Sequence, residues 1–208
     1  MMRNFLLVLA LAGAVSPLAA APLSVRIVDA SGRPVRDAVV TLVPSGSAAH
    51  APRAAGRFVI TQQKLAFHPF LTIIPVGADV SFPNLDPTKH HVYSFSAAKK
   101  FELKLFAKDQ SRTVHFDKLG VVALGCNIHD QMSAFVVVTD SAWTARTNAQ
   151  GLVTFGDAPN APGRVKVWHP YLRGPGGELQ QQVAPTQRTA TFQVRLRPPP
   201  AAMPMADY

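Results

Sequence analysis

Apolar and polar residues alternate with a period of two through most of this chain, and no stretch shows helical spacing. Leu23-Ser-Val-Arg-Ile-Val-Asp29 alternates, Ser31-Gly-Arg-Pro34 supplies a turn, and Ala38 to Val43 is again apolar; together they predict a hairpin. Phe70 to Ile74, Ala78 to Phe82, His91 to Phe95, Phe101 to Phe106, Arg112 to Phe116, Val121 to Leu124 and Ala134 to Val138 predict further short strands. Gly, Pro, Asn, Asp or Lys clusters part them. Thr144 to Asn148, Leu152 to Phe155, Arg164 to Trp168 and Thr191 to Leu196 predict the last strands. Short strands with turns at this frequency predict an all-β protein built from sandwiches.

The beginning of the chain has another character. Arg3 precedes a continuous apolar run from Phe5 to Val15, and Ser16-Pro17 with small residues to Ala21 follows. That layout predicts a secretory signal peptide over residues 1–21, too short to span a bilayer, and hence a periplasmic protein. No other run is apolar and long enough to be a transmembrane span. The remainder divides into an N-terminal β segment (22–56, its end a polar loop), a central domain (57–139), a C-terminal β segment (140–197) and a loose tail (198–208).

Composition narrows the function classes. With 48% hydrophobic and 16% charged residues, the chain is folded rather than disordered. Its formal charge of +9 is for the most part that of a solvated surface, and favours acidic partners. Basic runs interleaved with aromatics are absent, so nucleic acid is excluded as a partner. Gly-x-Ser-x-Gly and paired glycosidase carboxylates are absent too, which argues against an enzyme of either kind. The chain has one cysteine, Cys126, so a disulfide framework is excluded and the thiol calls for burial or a metal.

Cys126 opens the segment Cys126-Asn-Ile-His129-Asp-Gln-Met132, directly after a predicted strand. A thiolate, an imidazole and a thioether within seven positions suit copper cycling between two oxidation states. Zinc would call for more strong ligands than one cysteine offers. A second imidazole must come from afar, and His90 and His91, at a strand–loop–strand junction, both offer it. Adjacent strand residues face opposite ways, so only one of them can reach the site. His68 and His169 follow strands and read as structural; His50 and His115, with no acidic or cysteine partner expected, read as surface or strand-face positions.

Phe82-x-Asn84-x-Asp86…His90-x-Val92 and Cys126-x-x-His129-x-x-Met132 resemble the two ligand loops of the cupredoxin (plastocyanin/azurin-like) family, with an amicyanin-like copper loop. His90-His-Val-Tyr-Ser-Phe-Ser96 together with Cys126-Asn-Ile-His-Asp130 also resembles periplasmic proteins labelled methylamine utilization proteins. The resemblance implies a cupredoxin-like Greek-key β-sandwich over about 70–139 and one type 1 copper ion held by His90, Cys126, His129 and Met132. Two positions depart from the family pattern: His91 stands where Asn braces the cysteine loop, and Asp130 replaces a proline. The segments around Gly32-Arg-Pro34 and Thr144-Ala-Arg-Thr147…Gly151 resemble the carboxypeptidase-regulatory-like β-sandwich family, which implies that they pack together or flank the copper domain. The function so implied is that of a one-electron carrier, not an enzyme, whose redox partner is an acidic protein such as a cytochrome or dehydrogenase. A copper-delivery module or an envelope interaction protein is the alternative.

Overall fold

The computed structural model describes residues 22–46 and 56–199. The predicted signal peptide, His50, most of the polar loop and the tail beyond Pro199 lie outside these residues.

Two strands, β1 (Leu23–Asp29) and β2 (Val39–Pro44), precede a central group: β3 (Phe58–Val59), β4 (Thr61–Gln63), β5 (Ala66–His68), β6 (Leu71–Pro75), β7 (Ala78–Pro83), β8 (His90–Ser96), β9 (Lys99–Phe106), β10 (Ser111–Phe116), β11 (Gly120–Gly125) and β12 (Ser133–Thr139). The chain closes with β13 (Thr144–Arg146), β14 (Leu152–Phe155), β15 (Gly163–Trp168), β16 (Glu178–Val183) and β17 (Thr189–Val194). The protein is all-β, with several sheets.

In the central group a five-stranded sheet, ordered β6-β12-β11-β8-β9, faces a three-stranded sheet, β10-β7-β3. Inward residues of both sheets, among them Val80, Phe82, Val92, Phe116, Val122 and Leu124, form one core. Their alternation along each strand is what the period of two requires. Cys126 and Met132 belong to this same core, at its end.

The first and last strands make a second sandwich, in which sheets β14-β1-β17 and β13-β2-β15-β16 share a core of Val25, Ile27, Val40, Leu42, Val165 and Phe192. β1 and β2 are not a hairpin, which corrects the reading of residues 23–43. The turn forms, with Gly32 N–H donating to the Asp29 carbonyl, but β1 pairs with β14 and β17 while β2 pairs with β13 and β15. Both strands bury one apolar face, and placing them in opposed sheets turns both faces to the same core. Gly151, at φ 69, packs so closely on the Ile27 carbonyl that no side chain would fit there.

The two sandwiches meet where Trp168 stands edge-on to Phe135, ring centroids 5.4 Å apart, beside Val39, Leu71 and Val137. β16 was not legible as a strand. Its sequence, Glu-Leu-Gln-Gln-Gln-Val, has little apolar alternation, and it exists as an edge ladder on β15.

Candidate metal centre

β8 and β11 are antiparallel neighbours, with Gly125 opposite Tyr93. The start of β8 and the end of β11 therefore lie at one end of the sheet, and His90, the first residue of β8, comes beside Cys126 just past β11. The β11–β12 connection, closed by the Gly125–Ser133 pair, then carries His129 and Met132 back over the same point. A turn bond from Met132 N–H to the His129 carbonyl, 2.9 Å, tightens this loop.

One ligand atom each from His90, Cys126 and His129 lies within 4.8 Å of the others. The Cys126 Sγ is 3.7 Å from His129 Nδ1. Two donors at bond lengths of about 2.0–2.3 Å from one ion, about 120° apart, would be about 3.7 Å from each other. The rings of His90 and His129 meet edge to face with centroids 5.0 Å apart. Met132 is buried to 1% exposure within the same core cluster as Cys126, so its thioether belongs to the apolar wall of this site.

His90 is fully buried, and its two nitrogens have different fates. Nε2 donates to Asp86 Oδ2 at 2.8 Å, whereas Nδ1 is buried with no hydrogen-bond partner. With the proton on Nε2, Nδ1 keeps its lone pair. A buried acceptor left unpaired costs about 1–3 kcal/mol, a cost that a ligated cation removes. The residues present therefore fit a metal ion, and a nitrogen–nitrogen–sulfur set with a thioether beside it fits copper better than zinc.

Asp86 carries more than one bond. It also accepts from the backbone N–H groups of Lys64 (2.6 Å) and Leu65 (2.9 Å). These two residues form the tip of the β4–β5 hairpin and have φ of 54° and 56°, a strained region for side-chain-bearing residues. Burial pushes the Asp86 pKa up, but the hydrogen bonds from Leu65, His90 and Lys64 outweigh it and hold the carboxyl below its usual value. Asn84 supports this loop in turn: its Oδ1 accepts from Asp86 N–H and its Nδ2 donates to the carbonyls of Thr88 and Phe106. The Asn and Asp of the first loop were visible in sequence as a pattern, but their role as a brace for the ligand was not.

Burial lowers the His129 pKa, and nearby His90 lowers it further against the opposing pull of Asp86. The ring is thereby kept neutral, the form in which imidazole ligates metals.

His91 lies on the other face of β8. Its Nε2 meets Glu102 Oε1 at 2.9 Å and its ring lies 5.6 Å from Tyr93, so it neither joins the cluster nor braces the cysteine loop. Asp130 is exposed and makes no hydrogen bond to His129 among the described residues. His68 bonds the Gln63 carbonyl and His169 accepts from Tyr171 N–H, both local structural contacts. His115 does have an acidic partner, contrary to the expectation from sequence. Asp79 stands directly opposite it on β7, with Oδ1 2.8 Å from Nδ1, a neighbour that only strand pairing reveals.

No protein-family model matches the chain, and no curated protein matches it in sequence. Several solved structures are similar. A copper-containing nitrite reductase from Thermus scotoductus SA-01 has TM-score 0.38 and 23% identity over 47% of this chain, a match spanning 27% of the reductase chain. A mutant of amicyanin in its Cu(I) form has TM-score 0.37 and 23% identity, over 48% of this chain and 98% of that one. A purple cupredoxin from Nitrosopumilus maritimus has TM-score 0.36 and 21% identity, over 39% of this chain and 99% of its own. The chemistry of the centre rests on its own residues.

Proposed function

We propose that this chain is an exported, periplasmic type 1 copper protein that passes single electrons between partner proteins and is not itself an enzyme. The observation that carries this reading is the cluster of His90, Cys126 and His129, whose ligand atoms lie within 4.8 Å of one another while His90 Nδ1 is buried without a hydrogen-bond partner. When bound, copper supplies a one-electron couple between its two oxidation states. His90, Cys126 and His129 would hold it, with the Met132 thioether as a weak fourth donor.

The chain's own part is to fix these donors. Asp86 holds the His90 ring in one tautomer, and the core around Cys126 and Met132 excludes water. Donors kept in place by packing change little when the charge on the ion changes, which favours fast outer-sphere transfer. His129 is half-buried, with exposed Ile128 beside it in the loop and exposed Leu85 on the first ligand loop, and offers the contact edge. The net positive charge favours an acidic redox partner such as a cytochrome or dehydrogenase, with association weakening as salt rises. A delivery role is less well supported, because His90 and Cys126 are buried at 0% and 3% exposure and would release an ion slowly. The flanking sandwich fits a carboxypeptidase-regulatory-like module that carries the copper domain.

The test is to add Cu(II) to the full chain and record visible and paramagnetic resonance spectra. An intense thiolate-to-copper band, lost in Cys126→Ser, is expected. A band that persists in that variant would overturn the assignment.

A further inference from the structure

Beyond β15 and β17 the chain forms a short antiparallel ladder. Arg173 N–H donates to the Arg195 carbonyl and Arg197 N–H to the Tyr171 carbonyl, both at 2.8 Å, and Leu172 bridges Leu196. Side chains alternate across such a ladder. Leu172 and Leu196 turn into the core, so Tyr171, Arg173, Arg195 and Arg197 share the outer face. With Arg33 from the β1–β2 turn they line an open groove whose exposed apolar part is Pro198 and Pro199.

The charge of this groove is not neutralised from within. Asp29 is its one acidic residue, and its carboxylate already takes Ser31 N–H, the Ser31 hydroxyl, Arg33 N–H and Arg33 Nε. The side chains of Arg173 and Arg195 make no hydrogen bond or ion pair among the described residues. Arg197 is anchored on the Pro170 carbonyl at 3.1 Å, which sets its direction. Arg173 and Arg197 also line a second hollow, beside the Gly174–Gly177 loop, so the basic surface extends past the first groove.

We propose that this groove docks an extended acidic polypeptide segment of a partner protein. Arg195 and Arg197 stand two residues apart on an extended chain, a spacing of about 6.6 Å, which is also the spacing of alternate side chains on an extended ligand. Guanidinium groups offer paired donors matched to carboxylates. The apolar part of this concave groove accepts the ligand's intervening side chains, whereas a bilayer surface calls for a flat or convex basic face. The groove lies in the flanking sandwich, so the inference holds whether or not the metal centre binds copper.

The test is fluorescence anisotropy of the full chain with a labelled peptide alternating glutamate and alanine, across a salt series. Salt-sensitive binding is expected, weakened about tenfold in the double variant Arg173→Gln/Arg195→Gln. The exposed pair Lys100→Gln/Lys104→Gln on β9 is the charge control and should bind as the parent does. Absence of peptide binding would overturn the proposal, as would equal weakening in the control. Preference for phosphatidylglycerol vesicles over the peptide would overturn it in favour of a lipid surface. Unchanged copper spectra in the arginine variant would show that the two sites fail or succeed separately.

Discussion

Asp86 Oδ2 and His90 Nε2 lie 2.8 Å apart, both buried, and this bond leaves His90 Nδ1, buried without a hydrogen-bond partner, as the nitrogen free to ligate. The same carboxylate holds the strained Lys64–Leu65 turn, so one side chain serves ligand and scaffold together. Asp86→Asn keeps one oxygen but sets an amide N–H against a donor. It should destabilise the fold by about 1–3 kcal/mol and weaken copper binding about 10–100-fold. Denaturant unfolding and competition with a chelator measure the two effects; a variant with full copper affinity would refute the bracing role.

Met132 separates packing from metal chemistry. Met132→Leu conserves volume and should cost less than about 1.5 kcal/mol. Loss of the thioether donor removes more stabilisation from the oxidised ion than from the reduced one, so the reduction potential should rise. Voltammetry of the loaded variant checks this, and an unchanged potential would remove Met132 from the ligand set.

Tyr93 packs its phenol where a side chain on Gly125 would go: a Cβ there would lie 2.7 Å from the ring. Gly125→Ala should therefore cost about 1–3 kcal/mol, because the ring must move. The penalty should largely vanish in a Tyr93→Ala background. A double-mutant cycle from thermal or denaturant unfolding tests the coupling; additive losses would mean the contact is not the cause.

His169 gives the second sandwich a pH dependence. Burial lowers its pKa, outweighing the opposing effects of Asp37 and of its bond with the Arg36 backbone. The unfolded chain takes up the proton near the ordinary 6.5, while the folded chain does so only at lower pH. Between those two values the unfolded state binds more protons, so this group's contribution to stability falls as pH falls through that window. His169→Asn can still accept from Tyr171 N–H without titrating, and should flatten that part of the melting-temperature profile. An identical profile in the variant would exclude His169 as its source.

How much of this was legible in the sequence depended on how local the signal was. Cys126, His129 and Met132 share one short loop, and His90 follows a recognisable strand–loop pattern, so the grouping could be read from spacing. The choice between His90 and His91 needed β8 itself, because only the fold shows which face of the strand looks toward Cys126. The β4–β5 hairpin was missed because its turn is Lys64-Leu65, where Asn-Gly would be the usual signal for two left-handed residues. Asp86, distant in sequence, makes that turn tenable. Most strands announced themselves by alternation, but their partners did not. β1 and β17 pair in parallel across nearly the whole chain, and no local pattern encodes such a neighbour.

That pairing imposes an order on assembly. β1 is made first, yet both strands that flank it, β14 and β17, are made after the entire central group of strands. Until then both edges of β1 lack their partner strands, and closing so long a loop costs entropy before any contact compensates. A central domain that folds first draws its own two ends together and shortens the remaining search. Both tryptophans, Trp143 and Trp168, lie in or beside the outer sandwich, so their emission reports its closure while the copper band reports the centre. On refolding, the colour should return before the tryptophan signal; the reverse order would mean that the outer sandwich assembles around an unfinished core.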